Sequence, residues 1–185
     1  MPEITLYQVD AFTDAAFGGN PAAVCPLEAW LPDATLQAIA AENNLSETAY
    51  FVPNGDGYQL RWFTPAIEVA LCGHATLATA YVIAQHIDSQ AKTFRFDSAS
   101  GPLSVTRDGE VFTLDFPTAV PAPHEDGGAI AAALGFAPQE VLKAPGENSG
   151  KFMAVLASEA EVRRADPDLA KVAALPGDGL IVTAP

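Results

Sequence analysis

His74-Ala75-Thr76-Leu77-Ala78-Thr79-Ala80-Tyr81-Val82-Ile83-Ala84-Gln85 lacks a polar face. Wound into a helix, its apolar residues Ala75, Leu77, Ala78, Ala80, Tyr81, Val82, Ile83 and Ala84 run almost all the way round. A helix of that kind is expected to be buried on every side, and its many small residues let strands approach closely. Working outward, the flanks supply those strands. Thr48–Val52 and Tyr58–Phe63 read as a hairpin around Asn54-Gly55-Asp56-Gly57. Phe94–Phe96, Leu103–Thr106 and Val111–Phe116 follow the helix, with a turn at Arg107-Asp108-Gly109-Glu110. Upstream, Ile4–Val9 and Ala22–Cys25 read as strands separated by a Gly18-Gly19-Asn20-Pro21 loop. Asp33 is expected to cap a helix that ends at Asn43-Asn44. Downstream come a short alanine-rich helix ending at Gly135, a strand through Phe152–Leu156, and a last helix starting at Asp166-Pro167. The expected fold is α+β, with mostly antiparallel strands wrapped around a buried central helix.

Composition narrows the functional classes. The chain has 185 residues, 49% of them hydrophobic, which is enough for a sizeable core, and a formal charge of −14. That charge repels nucleic acid and anionic membranes, and no cluster of Lys or Arg offers a local exception. An acidic substrate would have to be held by local dipoles. No apolar run approaches the ~20 residues of a membrane span. Met1-Pro2-Glu3-Ile4-Thr5 lacks the basic-then-apolar order of an export signal. Cys25 and Cys72 lie far apart and belong to no CxxC pattern, so reduced thiols and a cytoplasmic protein are expected.

Two short stretches hold the candidate chemistry. In Asn43-Asn44-Leu45-Ser46-Glu47-Thr48, Glu47 enters a strand that otherwise takes apolar residues. Desolvation there raises a carboxylate's affinity for a proton and suits it to proton shuttling. A surface glutamate at a strand edge fits the same position. In Leu71-Cys72-Gly73-His74-Ala75-Thr76, a glycine precedes the central helix, whose first N–H groups form a site for a carboxylate or oxyanion. His74 in the first turn can donate a hydrogen bond or move a proton. It fits equally as a satisfied core histidine, and Gly73 as a tight turn. Cys72 beside His74 at a helix start is a setting that activates thiolates, but the neighbouring sequence offers no Asn or Asp to orient the imidazole. His74, His86 and His124 have no metal-ligand spacing, and no glycine-rich nucleotide motif is present, so neither metal nor cofactor is expected.

Five blocks follow one another in order: Tyr7-Gln8-Val9-Asp10-Ala11-Phe12, Gly19-Asn20-Pro21-Ala22-Ala23-Val24, Asn43-Asn44-Leu45-Ser46-Glu47-Thr48, Arg61-Trp62-Phe63-Thr64-Pro65 and Cys72-Gly73-His74-Ala75-Thr76-Leu77-Ala78. Together they resemble the phenazine-biosynthesis PhzF-like isomerase family, which shares its fold with diaminopimelate epimerase. The resemblance implies a cofactor-independent isomerisation of a small, often cyclic acid held between two similar halves. Glu47 would carry the proton from one carbon to another. Gly73 and His74, flanked by Ala75 and with Ser46 beside Glu47, would hold the substrate. Cys72 matches the position where related racemases and epimerases keep a catalytic cysteine, so a Cys72-dependent epimerase is the alternative mechanism. The family's second half carries further substrate-binding residues, and none of its motifs occurs before Pro185. Residues 1–178 are therefore expected to form the N-terminal domain, and 179–185 to begin a crossover into a second one. A non-catalytic half-protein that binds a small acid or a partner is a further alternative. Pairing of two copies through the face that the second half covers would make a homodimer.

Overall fold

The computed structural model describes residues 3–116, 118–125, 127–144 and 150–185; Met1 and Pro2, part of the stretch read for an export signal, lie outside the described residues. Packing divides the chain into two compact units, one up to Phe116 and one after it.

The first unit begins with β1 (Tyr7–Ala11) and β2 (Asn20–Pro26), joined antiparallel. The loop between them turns at Gly19, whose φ is 64° and where an added Cβ would collide with the Ala11 carbonyl. Only glycine satisfies both conditions at once. Asn20 and Pro21, expected in that loop, belong to β2. Helix α1 (Asp33–Asn43) then crosses to β3 (Glu47–Asn54), which pairs parallel with β2. Asn44 ends α1 in the left-handed conformation (φ 51°) that Asn tolerates better than most side chains. Asp33 does not cap α1. It is the first helical residue, and its carboxylate is drawn instead to Arg61 Nη1 at 2.9 Å.

The hairpin continues into β4 (Gly57–Phe63) and the short β5 (Glu68–Val69). Helix α2 (Gly73–His86) makes the next crossover, to β6 (Thr93–Ser98), which lies parallel to β4. Antiparallel β7 (Gly101–Asp108) and β8 (Val111–Asp115) complete a sheet ordered β1-β2-β3-β4-β6-β7-β8, with β5 beside β4. Parallel neighbours need a crossover and antiparallel ones only a turn, so both parallel joints coincide with a helix.

This sheet curls around α2, which packs against β1, β2, β3, β7 and β8. Ala75, Ala78, Ala80, Val82, Ile83 and Ala84 are buried beside Phe51, Trp62, Phe94, Phe96 and Val105. The expected α+β architecture, mostly antiparallel strands around a buried helix, is present. Burial is not complete on every side, however. Leu77 is half-buried and Tyr81 and Gln85 are exposed, at i, i+4 and i+8, because the sheet does not close between β1 and β8. A second core lies outside the sheet, where α1 covers Cys25, Tyr50 and Phe63 with Leu36 and Ala40.

The second unit has a four-stranded sheet of β9 (Ala122–Pro123), β10 (Glu140–Lys143), β11 (Phe152–Val155) and β12 (Leu180–Thr183), ordered β12-β11-β10-β9. Helix α3 (Gly127–Leu134) contributes Ile130 and Leu134 to its core, with Phe152 and Leu156. The parallel pair β11 and β12 is bridged by two short helices, α4 (Glu159–Arg164) and α5 (Leu169–Ala173). The last helix therefore does not start at Asp166-Pro167. Asp168 caps it, accepting from the Ala170 and Lys171 amides. Within segment 179–185, β12 pairs parallel with β11.

Candidate active site

The start of β3 is held from two sides. Asn43 Nδ2 donates to Thr48 Oγ1 at 3.1 Å, and Ser46 Oγ donates to Asn20 Oδ1 at 3.1 Å. These bonds fix the turn that delivers Glu47 at the head of the strand, in register with Ala22 of β2. Glu47 stays partly open, with 20% of its side chain exposed.

The start of α2 faces it. Cys72 is the extended residue before the helix, and its carbonyl accepts from Thr76 Oγ1, which ties the first turn together. An α-helix leaves its first four N–H groups without helical partners and carries partial positive charge there. Gly73 permits a close approach at this end. The sequence reading gave that space to a ligand; the ring of Phe116 lies there, and a Cβ on Gly73 would sit 2.8 Å from it. Ala75 is wholly buried, backbone included.

Between the two segments stands His74. Its Nε2 is 3.3 Å from Glu47 Oε2, and its Nδ1 is 3.4 Å from Cys72 Sγ. Nε2 is within ion-pair distance of the carboxylate but is not aligned for a hydrogen bond with it. A small rotation of either side chain would align Nε2 with the carboxylate. The imidazole is 8% exposed, and this desolvation lowers its pKa from 6.5, with the Glu47 charge and the Pro21 carbonyl pulling the other way. It is therefore neutral at pH 7, with one ring nitrogen donating and the other accepting.

Glu47, His74 and Cys72 thus come together, their ligating atoms within 4.8 Å of one another. Ser46 is adjacent in sequence but turned to Asn20. One ligand atom from each residue lies within reach of a single ion, and a carboxylate, an imidazole and a thiol are a donor set that suits a zinc-like ion. Phe116, Asn20 and the Pro21 carbonyl were not singled out as site residues from sequence. Asn20-Pro21 was visible as part of a recurring block, and nothing in the sequence marked Phe116.

No helix among the described residues is long and apolar enough to cross a membrane. Arg61, from another of the recurring blocks, is engaged by Glu68 at 2.7 Å and Asp33 at 2.9 Å, and lies against Trp30 and Phe63. It serves the packing of α1 on the sheet.

Known structures share this architecture. A PhzF-family phenazine biosynthesis protein from Enterococcus faecalis superposes with a TM-score of 0.86 at 46% identity, covering 97% of this chain and 67% of that one. A predicted epimerase from Pseudomonas aeruginosa has the same fold at 20% identity, with a TM-score of 0.78 over 97% of this chain and 70% of its own. The fold is therefore that of the PhzF-like proteins. In sequence, the model of the phenazine biosynthesis-like proteins, PhzC-PhzF, matches residues 9–185. A Pseudomonas aeruginosa protein named an uncharacterized isomerase is 50% identical over 182 residues, 98% of this chain and 68% of that protein. One of the same description from Halalkalibacterium halodurans is 40% identical over 185 residues, 96% of this chain and 66% of its own. The chain belongs to the phenazine biosynthesis-like PhzC-PhzF family of isomerases, and it spans about two thirds of the length of these relatives.

Proposed function

We propose that this chain carries the Glu47-bearing part of the pocket of a cofactor-independent isomerase that moves a proton between carbons of a small acid. The observation that carries the reading is the meeting of Glu47 with His74 at 3.3 Å, at the N-terminus of a helix enclosed by its sheet. A carbon acid ionises with difficulty, so catalysis requires a base beside preorganised donors for the developing anion, away from water. Glu47 is the base. The N–H groups at the start of α2, from Gly73 to Ala75, together with His74 and the Ser46 hydroxyl, hold the anionic part of the substrate once the Phe116 ring moves off Gly73 and Ser46 turns from Asn20. With a net charge of −14 the long-range field opposes an acid, so this local dipole supplies the attraction. The enzyme acts in the cytoplasm as a homodimer, with no metal or coenzyme.

The reading is tested by incubating the protein in heavy water with a panel of small cyclic and acyclic acids and following loss of carbon-bound proton signals by NMR. Wild-type protein is expected to exchange one carbon position of its substrate. Glu47→Gln is expected to lower that rate ~100- to 10,000-fold, the usual weight of a positioned acid–base group, with the fold intact by circular dichroism. Exchange that survives at the wild-type rate in Glu47→Gln removes Glu47 from the role.

A further inference from the structure

No spacing in the sequence announces a metal site, because the carboxylate comes from the head of β3, 25 positions before the thiol. The fold closes that distance. One ligand atom each from Glu47, His74 and Cys72 lies within 4.8 Å of the other two. We propose that these three residues form a binding site for a soft divalent cation of the zinc class. The inference stands apart from the proton-transfer reading and needs neither its substrate nor its base. The ion is no cofactor of that reaction. Bound there, it occupies the Glu47 carboxylate, so the residues either ligate or carry protons.

The first observation is His74 Nε2, which makes no hydrogen bond in a side chain only 8% exposed, and stands 3.3 Å from Glu47 Oε2. A buried polar nitrogen without a hydrogen-bond partner is costly, and an ion on its lone pair removes that cost. The second is distance. Neighbouring ligands of a tetrahedral zinc ion stand about 3.5 Å apart, so Glu47 and His74 are already in place. Cys72 Sγ joins them by rotation about its single side-chain torsion. The third is charge. A carboxylate, a thiolate and a neutral imidazole balance the two positive charges of the ion, so the set is neutral once the ion is bound. Binding breaks the Cys72 S–H bond, the proton passes to water, and the sulfur electron pair goes to the metal. A thiolate ligand favours zinc or cobalt over magnesium and calcium, which take oxygen ligands. Three protein ligands leave a fourth position for water. The exposed 20% of the Glu47 side chain gives the ion a way in. The net charge of −14, which opposes an acid, draws a cation toward the same site.

The test needs no substrate. Reduced protein, stripped with EDTA and freed of it, is titrated with cobalt(II). Cobalt reports four-coordination by its visible bands and thiolate ligation by a near-ultraviolet charge-transfer band. Saturation at a single ion per chain with both signals is expected, with displacement by zinc and none by magnesium. Cys72→Ser is expected to abolish the charge-transfer band. Glu47→Gln and His74→Phe are expected to weaken binding about tenfold or more, no less than loss of an outer-shell partner costs a metal site. Cys25→Ala removes a thiol buried among Leu36, Ala40, Tyr50 and Phe63 and should leave the titration unchanged. Circular dichroism establishes that each variant is folded, and the wild-type titration decides the matter even where one is not. No charge-transfer band in wild type, a band that survives Cys72→Ser, full affinity in the other two variants, or displacement by magnesium overturns the inference. Cobalt binding does not depend on turnover, so that result would leave the role of Glu47 as base to the heavy-water experiment. Conversely, loss of the Glu47 role there would leave the cobalt spectra standing.

Discussion

Cys25 and Cys72 are both buried, at 0% and 7% exposure, yet their surroundings give one residue type two different characters. Cys25 lies in β2 beneath α1, in a cluster of Leu36, Ala40, Tyr50 and Phe63. Burial pushes its thiol up to about 12, so it stays protonated and behaves as a small hydrophobe. Nearby, burial likewise raises the Tyr50 phenol, whose hydroxyl donates to the Leu36 carbonyl at 2.8 Å. Cys72 precedes a helix and touches an imidazole that itself touches a carboxylate. Burial alone does not decide what a thiol does; the groups buried with it do. The first region is a packing solution, and the second gathers three groups that can each bind or release a proton.

The contrast can be broken at either end. The largest effect is expected from Leu36→Ala, which removes the side chain packed over Cys25 and should cost about 2–5 kcal/mol in denaturant unfolding. Heavy-water exchange per folded molecule should not change. If it falls in step with stability, the two regions are not independent. Next, Gly73→Ala would press its new methyl on the far edge of the Phe116 ring, which is partly exposed and able to give way. A loss of about 1 kcal/mol, the low end of overpacking, is expected in the same assay. A cost several times larger would mean the ring is locked in position.

The smallest effect concerns pH. His74 has its pKa lowered by burial, so the folded chain resists a proton that the unfolded chain accepts. Between 6.5 and the lower folded value the unfolded state binds more protons, and stability is lost as pH falls through that window. Urea unfolding of wild type and His74→Gln above and below pH 6.5 should show a shallower decline in the variant. Parallel declines would assign the acid sensitivity to other groups.

Much of the fold was legible because its determinants are local or periodic. The central helix announces itself by small and apolar residues on nearly every face, and the hairpin at Gly55 by its turn chemistry. Asp33 was misread because capping is a local rule, whereas Arg61, 28 residues on, competes for the carboxylate at 2.9 Å. Helix α4 was missed although its signal is present. Ser158 accepts from the Glu161 amide, and Glu161 Oε2 reaches back to the Ala157 amide, close to a capping box. Within the site, Glu47 and His74 could each be suspected from the sequence, but their meeting could not. It depends on the parallel pairing of β2 with β3 and on α2 lying against both.

The gap in the curled sheet has a colloidal consequence. Strands β1 and β8 each have one neighbour among the described residues, so each presents a row of backbone donors and acceptors that another polypeptide could extend. Asp10 sits on the first edge, and Asp115 on the second with Glu110 just before it. Two such edges approaching from different molecules bring like charges together, on chains whose net charge is already −14. The acidity that repels nucleic acid also keeps open strands from templating one another. Because surface charge is screened within about 10 Å at 0.1 M salt, that protection weakens as ionic strength rises.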